Sequence, residues 1–314
     1  MCCASSSLGG GTKLGAPDLA GELCGPLRRF ADRLVGSWEN GLAGCRTGEI
    51  APEFLRMEGG DGGASRPGTG PGSGIRDGNG GGGGEKLGLL LRLENRVFCS
   101  DAFERCHVEV AVSGQGLQVV HFTMMPRNGA GSRKRDGHVG GGVPPVVLAG
   151  DVVGYRGVIS FAILDPTPMG TSRCLPPAYD AAVARLQDIH FGKGCAHVRD
   201  GCAESLPEWG RRIFGARCVC LRRQDFVKEG RDAEFEALVH NFLAYAEDLV
   251  DMHCSWCENG DEQGASFVMD AGALHAYNAA QRENEMTVQV LEKCFGRDVA
   301  VRYMSDVMFP DPSG

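Results

Sequence analysis

The fold is decided by two short runs, Arg105-Cys106-His107-Val108-Glu109-Val110-Ala111 and Leu117-Gln118-Val119-Val120-His121-Phe122-Thr123. Successive side chains of an extended strand point to opposite faces, so His107 and Glu109 share one face while Val108 lies on the other. Only a short connection separates the two runs. Parallel pairing needs a crossover of a dozen or more residues, so these strands are expected to pair antiparallel.

The same pattern of short β-branched and aromatic runs, bounded by Gly, Pro and Asp, continues on both sides of this hairpin. It predicts six strands, at 87–98, 105–112, 116–125, 145–153, 157–164 and 216–221. Apolar residues at helical spacing predict helices near 26–40, over 235–250 and over 287–295. We therefore expect an α/β protein, a three-layer α/β/α sandwich whose central antiparallel sheet is flanked by helices.

One folded domain accounts for most of the chain. Met1 to Ser7 has no acidic residue and three serines, like the start of an organelle transit peptide, so 1–21 is interpreted as an N-terminal segment and a candidate targeting remnant. Residues 22–314 form the predicted domain. Two glycine-rich stretches inside it, near 59–84 and 128–142, have almost no apolar residues and are predicted to be flexible insertions.

Composition excludes several classes of protein. The 314 residues are 42% apolar and 23% charged, as in ordinary globular chains, and the net charge of -8 argues against attraction of the whole protein to nucleic acid. No run approaches the roughly 18 apolar residues of a membrane span. The 14 cysteines have no regular spacing, which favours free thiols over a disulfide framework.

Four titratable residues lie within three otherwise apolar strands: His107, Glu109, His121 and Asp151. If these strands are neighbours, the four side chains converge, and burial moves their pKa values toward the range of proton transfer. Two alternatives stay open. Each residue is an ordinary buried polar group, or the set binds zinc or iron, although its spacing matches no compact ligand motif.

Cysteine pairs are a second candidate for metal chemistry. Cys254 and Cys257 have the two-residue spacing of a redox or zinc half-site, and Cys218 and Cys220 are candidate partners. The latter two share one face of an apolar strand, which favours buried thiols. We predict no metal site.

Several segments, taken in order, resemble the ferredoxin-dependent bilin reductases. They are Glu94-Asn95-Arg96, His107-Val108-Glu109, Leu117-Gln118-Val119-Val120-His121, Gly150-Asp151-Val152-Val153, Leu206-Pro207-Glu208-Trp209-Gly210, Val290-Leu291-Glu292-Lys293-Cys294-Phe295-Gly296 and Arg302-Tyr303-Met304-Ser305. The resemblance implies that Asp151 and His121 share protons with the pyrrole nitrogens and lactam oxygens of biliverdin. It also implies that Glu109 protonates the D-ring vinyl group and that His107 acts through water.

The glutamate is similar to that of the phycocyanobilin-forming branch, so the resemblance implies four-electron reduction of biliverdin IXα to phycocyanobilin. Electrons would come singly from a 2Fe–2S ferredoxin, which favours the plastid stroma. No bound cofactor is expected, since the chain has no strand–GxGxxG–helix unit for a nucleotide. We expect a monomer that binds no nucleic acid and has no membrane span.

Other positions carry weaker expectations. Ser160, Asn284 and Glu285 are candidate substrate-binding residues, although Glu285 stands where the family usually has aspartate, and Met286 replaces a basic residue that can meet a propionate. A basic cluster is the candidate docking face for acidic ferredoxin: Arg211, Arg212, Arg222 and Arg223. The alternatives are another bilin reductase branch, forming phytochromobilin or phycoerythrobilin, and a bilin-binding carrier without catalysis.

Overall fold

A computed structural model of the chain describes residues 17–60, 90–127, 134–135, 138–139, 144–170, 172–192, 206–259 and 269–311. Nearly all of the predicted insertion 59–84 lies outside these residues. Of the insertion predicted at 128–142, the described part is two short paired strands, 134–135 and 138–139. Most of the N-terminal segment 1–21 also lies outside.

The strands alternate along the chain with short turns and a few helices. Their bounds are β1 (Arg46–Thr47), β2 (Arg56–Gly59), β3 (Leu91–Cys99), β4 (Phe103–Ser113), β5 (Leu117–Pro126), β6 (Lys134–Arg135), β7 (His138–Val139), β8 (Val146–Tyr155), β9 (Val158–Pro168) and β10 (Val219–Arg222). The main sheet has the order β1-β3-β4-β5-β8-β9-β10, and β2 also pairs with β3. Every pairing in it is antiparallel, as the short connections predict.

Four strands were not predicted, namely β1, β2, β6 and β7, and β9 runs well beyond its predicted end. β1 and β2 span only two and four residues, too few to show an alternating pattern. β9 continues past the predicted end at residue 164, through Pro166 and Pro168. Pro166 has a partner only on the β8 side, because β10 pairs with β9 over 161–164. Proline is tolerated there, where no neighbour needs its missing N–H.

Helices flank the sheet on both faces. They are a 3-10 turn (Asp18–Glu22), α1 (Gly25–Gly41), α2 (Pro52–Leu55), α3 (Pro177–Phe191), α4 (Glu208–Ile213), α5 (Arg223–Val227), α6 (Asp232–Asn259), α7 (Ala271–Gln281), α8 (Glu285–Phe295), α9 (Arg297–Arg302) and a π-helical turn (Tyr303–Met308). The helices predicted near 26–40, 235–250 and 287–295 are confirmed as α1, α6 and α8. None of the helices in these described ranges combines the length and hydropathy that a membrane crossing requires.

The two faces of the sheet belong to different cores. On one face, Val108, Val110 and Phe122 pack with buried residues of α1, α3 and α6. On the other face, Leu93, Ala111 and Met125 pack with α2, α8 and the π-helical turn, and α7 covers β8. The α/β/α sandwich is therefore confirmed, with the second face lying under the C-terminal helices.

Packed structure begins before residue 22. Leu19 and Ala20 of the 3-10 turn are buried in the first core. The backbone N–H of Leu19 donates to Glu94 Oε2 at 2.9 Å. Glu94 is itself buried and pairs with Arg56 at 3.0 Å and Arg96 at 2.8 Å. The described part of the expected N-terminal segment thus joins the fold.

Candidate active site

A row of polar side chains crosses four adjacent strands on the face that the C-terminal helices cover. Asn95 on β3 lies opposite Glu109 on β4, Glu109 opposite His121 on β5, and His121 opposite Asp151 on β8. Directly opposed residues project from the same face, so the register alone brings the four side chains together. The row ends at Ile163 on β9.

His121 and Asp151 form an ion pair at one end of this row. The His121 Nδ1 and Asp151 Oδ1 atoms are 2.7 Å apart, and the two side chains are 4% and 40% exposed. Burial alone lowers the pKa of His121, but the carboxylates of Asp151 and Glu109 together raise it by more, so its pKa lies above the ordinary value. The pair therefore favours a protonated imidazole and connects the buried site with solvent through Asp151.

Glu109 is the buried acid of the row. Burial is the largest influence on its pKa and raises it above the ordinary value, while the charge of His121 and the hydrogen bond from Tyr303 act the other way. The Tyr303 hydroxyl donates to Glu109 Oε2 from the π-helical turn. A buried carboxyl group with a raised pKa is suited to act as a general acid.

His107 lies two residues before Glu109 on the same strand and face. Its Nε2 atom is 2.8 Å from Asn95 Oδ1. The Asn95 amide is oriented by its Nδ2, which donates to the Phe54 carbonyl at 2.7 Å. Because Oδ1 can only accept, Nε2 must carry the proton, and Nδ1 keeps a lone pair. Burial, with the charges of Arg105 and His121, holds the pKa of His107 well below its ordinary value, so the ring stays neutral.

The buried polar atoms of this face that have no hydrogen-bond partner in the described part of the chain include three that lie close to one another on β4 and β5. They are His107 Nδ1, Thr123 Oγ1 and His121 Nε2. Thr123 lies opposite His107 across β4 and β5, and the two histidine rings are 5.9 Å apart. Buried polar atoms are normally satisfied, so this cluster fits a bound water or the polar atoms of a substrate.

The chain's last described residues cover the site. The Phe309 ring contacts the His121 ring at 5.9 Å. Arg105 on β4 donates to the Val307 carbonyl at 2.7 Å, and Arg282 after α7 donates to the Phe309 carbonyl at 2.6 and 2.9 Å. These contacts fix the C-terminal segment over the row.

Sequence reasoning identified His107, Glu109, His121 and Asp151, and the structure brings all four together on one face. The sequence reasoning did not identify Asn95, Tyr303 or Thr123 as residues of the site. The first two stand in segments that resemble the bilin reductases, which was the available signal. Their contacts depend on strand register and on a turn far away along the chain.

Two of the three candidate substrate-binding residues make hydrogen bonds within the fold. Ser160 occupies the irregularity where the register of β8 and β9 shifts, and its hydroxyl donates to the Val153 carbonyl at 3.3 Å. Asn284 is the N-cap of α8, since its Oδ1 accepts from the Thr287 N–H at 3.4 Å. Glu285 begins that helix and is exposed, as is Met286 with 81% exposure.

The four candidate docking arginines come from three elements that follow one another along the chain, α4, β10 and α5. Arg212 pairs with Glu283, and Arg223 pairs with Asp232 at 3.0 Å. Arg211 is exposed, and Arg222 is half-buried at the end of β10. Carboxylates thus already balance at least two of the four positive charges.

The cysteine pairs do not assemble a metal site. Cys218 and Cys220 are buried with Ile163 and Leu206, as expected for apolar thiols. Cys254 and Cys257 lie on α6, on the other face of the sheet from the polar row. Across the described ranges, no group of three or more His, Cys, Asp or Glu side chains is arranged to hold a metal ion.

Comparison with known proteins identifies relatives of the chain. The model of one family, ferredoxin-dependent bilin reductase, matches residues 79–310. The phycocyanobilin:ferredoxin oxidoreductase of Trichodesmium erythraeum is 28% identical over 234 residues, which cover 73% of this chain and 81% of that protein. The protein of the same name from a Synechococcus strain is 31% identical, with 73% and 80% covered.

Among solved structures, the chain is similar to phytochromobilin synthase from tomato in complex with biliverdin. The TM-score is 0.40 and the sequence identity 13%, over 70% of this chain and 69% of that chain.

Proposed function

Because this chain belongs to the ferredoxin-dependent bilin reductase family, we propose that it reduces biliverdin IXα by four electrons to phycocyanobilin, with electrons supplied singly by a 2Fe–2S ferredoxin. In this proposal it acts as a monomer in the plastid stroma. It binds no redox cofactor of its own.

The observation that carries the proposal is the cross-strand row of Glu109, His121 and Asp151. A long conjugated tetrapyrrole can accept single electrons if protons neutralise the added charge. The row offers a buried acid in Glu109 and a histidine whose pKa the neighbouring carboxylates raise. Proton donors with pKa values shifted toward neutrality are what such a reaction needs from the protein.

Each residue has a role in the proposed reduction. Asp151 and His121 share protons with the pyrrole nitrogens and lactam oxygens, and Glu109 protonates the D-ring vinyl group. His107 is neutral and its Nδ1 faces the group of unsatisfied polar atoms, so it acts through a bound water. Each double bond that is reduced takes up two electrons and two protons, and His121 is recharged from solvent through the exposed Asp151.

The curated relatives support the choice of product, since both carry the phycocyanobilin name at 28% and 31% identity. Glu109 supports it as well, because a second acid close to the histidine–aspartate pair provides for a second site of reduction. Ser160, Asn284 and Glu285 are proposed to contact the pigment. The docking face for ferredoxin is proposed at Arg211, Arg212, Arg222 and Arg223.

The test is anaerobic turnover of biliverdin with reduced ferredoxin, followed by absorbance and chromatography of the pigment. We expect phycocyanobilin as the final product. Phytochromobilin or phycoerythrobilin would assign the chain to another branch. Stoichiometric binding with a spectrum that reduced ferredoxin leaves unchanged would instead identify a bilin carrier.

A further inference from the structure

The hydroxyl of Tyr303 lies between two oxygen atoms, Glu109 Oε2 and Asn95 Oδ1, the latter at 2.7 Å. A phenol has a single proton and can donate to only one of them at a time. Asn95 presents its oxygen and not its nitrogen, because its Nδ2 donates to the Phe54 carbonyl. The Asn95 oxygen can therefore only accept from Tyr303, whereas Glu109 accepts from Tyr303 when it is ionised and can donate to it when it is protonated.

The acceptor to which the Tyr303 hydroxyl donates depends on whether Glu109 is protonated. When Glu109 is ionised, Tyr303 donates to the carboxylate, because a charge-assisted hydrogen bond is stronger than one to a neutral amide oxygen. When Glu109 is protonated, its O–H donates to the Tyr303 oxygen, and the Tyr303 O–H turns to Asn95 Oδ1. In the ionised state Asn95 Oδ1 loses the Tyr303 proton but still accepts from His107 Nε2 at 2.8 Å, so Tyr303 and Asn95 each keep a hydrogen bond in both states.

We propose that Tyr303, supported by Asn95, is a positioning residue that stabilises Glu109 in both its protonated and its ionised state by reversing this hydrogen bond. Glu109 then loses a proton and regains one without leaving a buried charge unpaired. Tyr303 keeps its own proton throughout. The assignment of the bilin as the recipient of the Glu109 proton rests on the proposed function, whereas the hydrogen-bond reversal does not.

The surroundings of Glu109 agree with this role. His121 from β5 faces it with a charge that lowers its pKa, and Asp151 from β8 adds a charge that raises it. His107 on its own strand is neutral, held by the same Asn95 oxygen. Burial, and then the carboxylate of Glu109, raises the pKa of Tyr303 well above its ordinary value, so the phenol does not ionise.

Replacing Tyr303 with Phe removes a partner from both states of Glu109. The ionised state loses the stronger bond, so the pKa of Glu109 is expected to rise further. Without the reversal, the buried carboxylate is left with fewer donors. A residue that only filled space would leave the titration where it was.

The experiment is infrared titration of the carboxyl C=O band in the substrate-free protein. Glu109→Gln assigns the band, Tyr303→Phe tests the proposal, and Tyr245→Phe is the matched control. Tyr245 is also buried and accepts from Gln187 Nε2 at 3.2 Å, but it lies in the core on the opposite face. We expect the Glu109 band to persist to higher pH in Tyr303→Phe alone. An unchanged midpoint would overturn the proposal, as would the absence of any titrating band assigned to Glu109.

A second measurement needs no substitution at Tyr303 and covers the case in which that variant does not fold. In the unsubstituted chain with ring-deuterated tyrosine, a tyrosine C–O mode should change with the same midpoint as the Glu109 band. This change should be absent in Glu109→Gln. Independence of the two titrations contradicts the reversal. Since no bilin is present, neither outcome depends on whether the proposed reduction is right.

Discussion

Glu109 and His121 lie directly opposite each other on β4 and β5, so a buried acid with a raised pKa stands beside a histidine whose pKa is also raised. One cross-strand pair thus holds two groups whose pKa values both lie above their ordinary values. The pair is extended by Asp151 on one side and by Asn95 with Tyr303 on the other.

Glu109→Gln removes the buried acid while keeping the shape of the side chain. We expect reduction of the D-ring vinyl group to slow by about 100-fold or more, since a general acid contributes that much, and A-ring reduction to be less affected. Chromatography of the pigments formed during anaerobic turnover measures both. Glu104→Gln, on the same strand, is the control. A normal product at a normal rate would remove Glu109 from the proposed mechanism.

Asp151→Asn removes the nearer of the two carboxylates that hold the His121 proton. Burial then dominates, and the pKa of His121 is expected to fall below that of the parent protein. NMR of ¹⁵N-labelled histidine measures this shift in the substrate-free protein. Asp248→Asn is the control, because it removes the carboxylate 2.8 Å from His190 Nε2 and leaves the site alone. An unshifted His121 would mean that Asp151 does not hold its proton.

His253 is expected to make the fold sensitive to acid. It is buried beside Phe103, and its Nδ1 is hydrogen-bonded to the Tyr179 hydroxyl at 2.9 Å. Burial lowers its pKa to about 3, below the unfolded value, so the stability contributed by the neutral ring is lost as the pH falls from about 6.5 to about 3. This amounts to about 2 kcal/mol between pH 7 and pH 5.

His253→Phe tests this by denaturant unfolding at the two pH values. The variant loses a partner for Tyr179, which costs about 1–3 kcal/mol at both pH values, but its stability should fall less between pH 7 and pH 5. Equal losses in variant and parent would show that another group sets the acid sensitivity.

Arg211→Glu and Arg222→Glu test the docking face without breaking the ion pairs of Arg212 and Arg223. We expect each to raise the KM for ferredoxin severalfold at low salt, with the difference shrinking as salt screens the charges. Arg28→Glu on α1, in the opposite layer, is the control with the same change in charge. Equal effects of all three variants would point to net charge and not to a docking face.

Asn284 can be tested for two roles at once. Asn284→Ala removes the α8 cap and is expected to cost about 1 kcal/mol of unfolding free energy, whereas Asn284→Ser keeps a capping oxygen. If Asn284 also contacts the pigment, both variants will bind biliverdin more weakly in a spectroscopic titration. Weaker binding by the alanine variant alone would reduce its role to capping.

Much of the site was accessible from the sequence because a strand repeats every two residues. The alternation of Val108 and Val110 with His107 and Glu109 determined which side chains share a face. Short connections required antiparallel neighbours, and the apolar stripes of α1, α6 and α8 indicated helices that cover a sheet. These features are local, and they follow from side-chain spacing and chain length.

Register and long-range contacts were decided only by the tertiary structure. A shift of one residue between β4 and β5 would send His121 to the other face, and no local pattern excludes it. Tyr303 reaches Glu109 across 194 residues, and Asn95 is oriented by the backbone of Phe54. Such contacts depend on how separate elements pack together, so spacing along the chain carries no record of them.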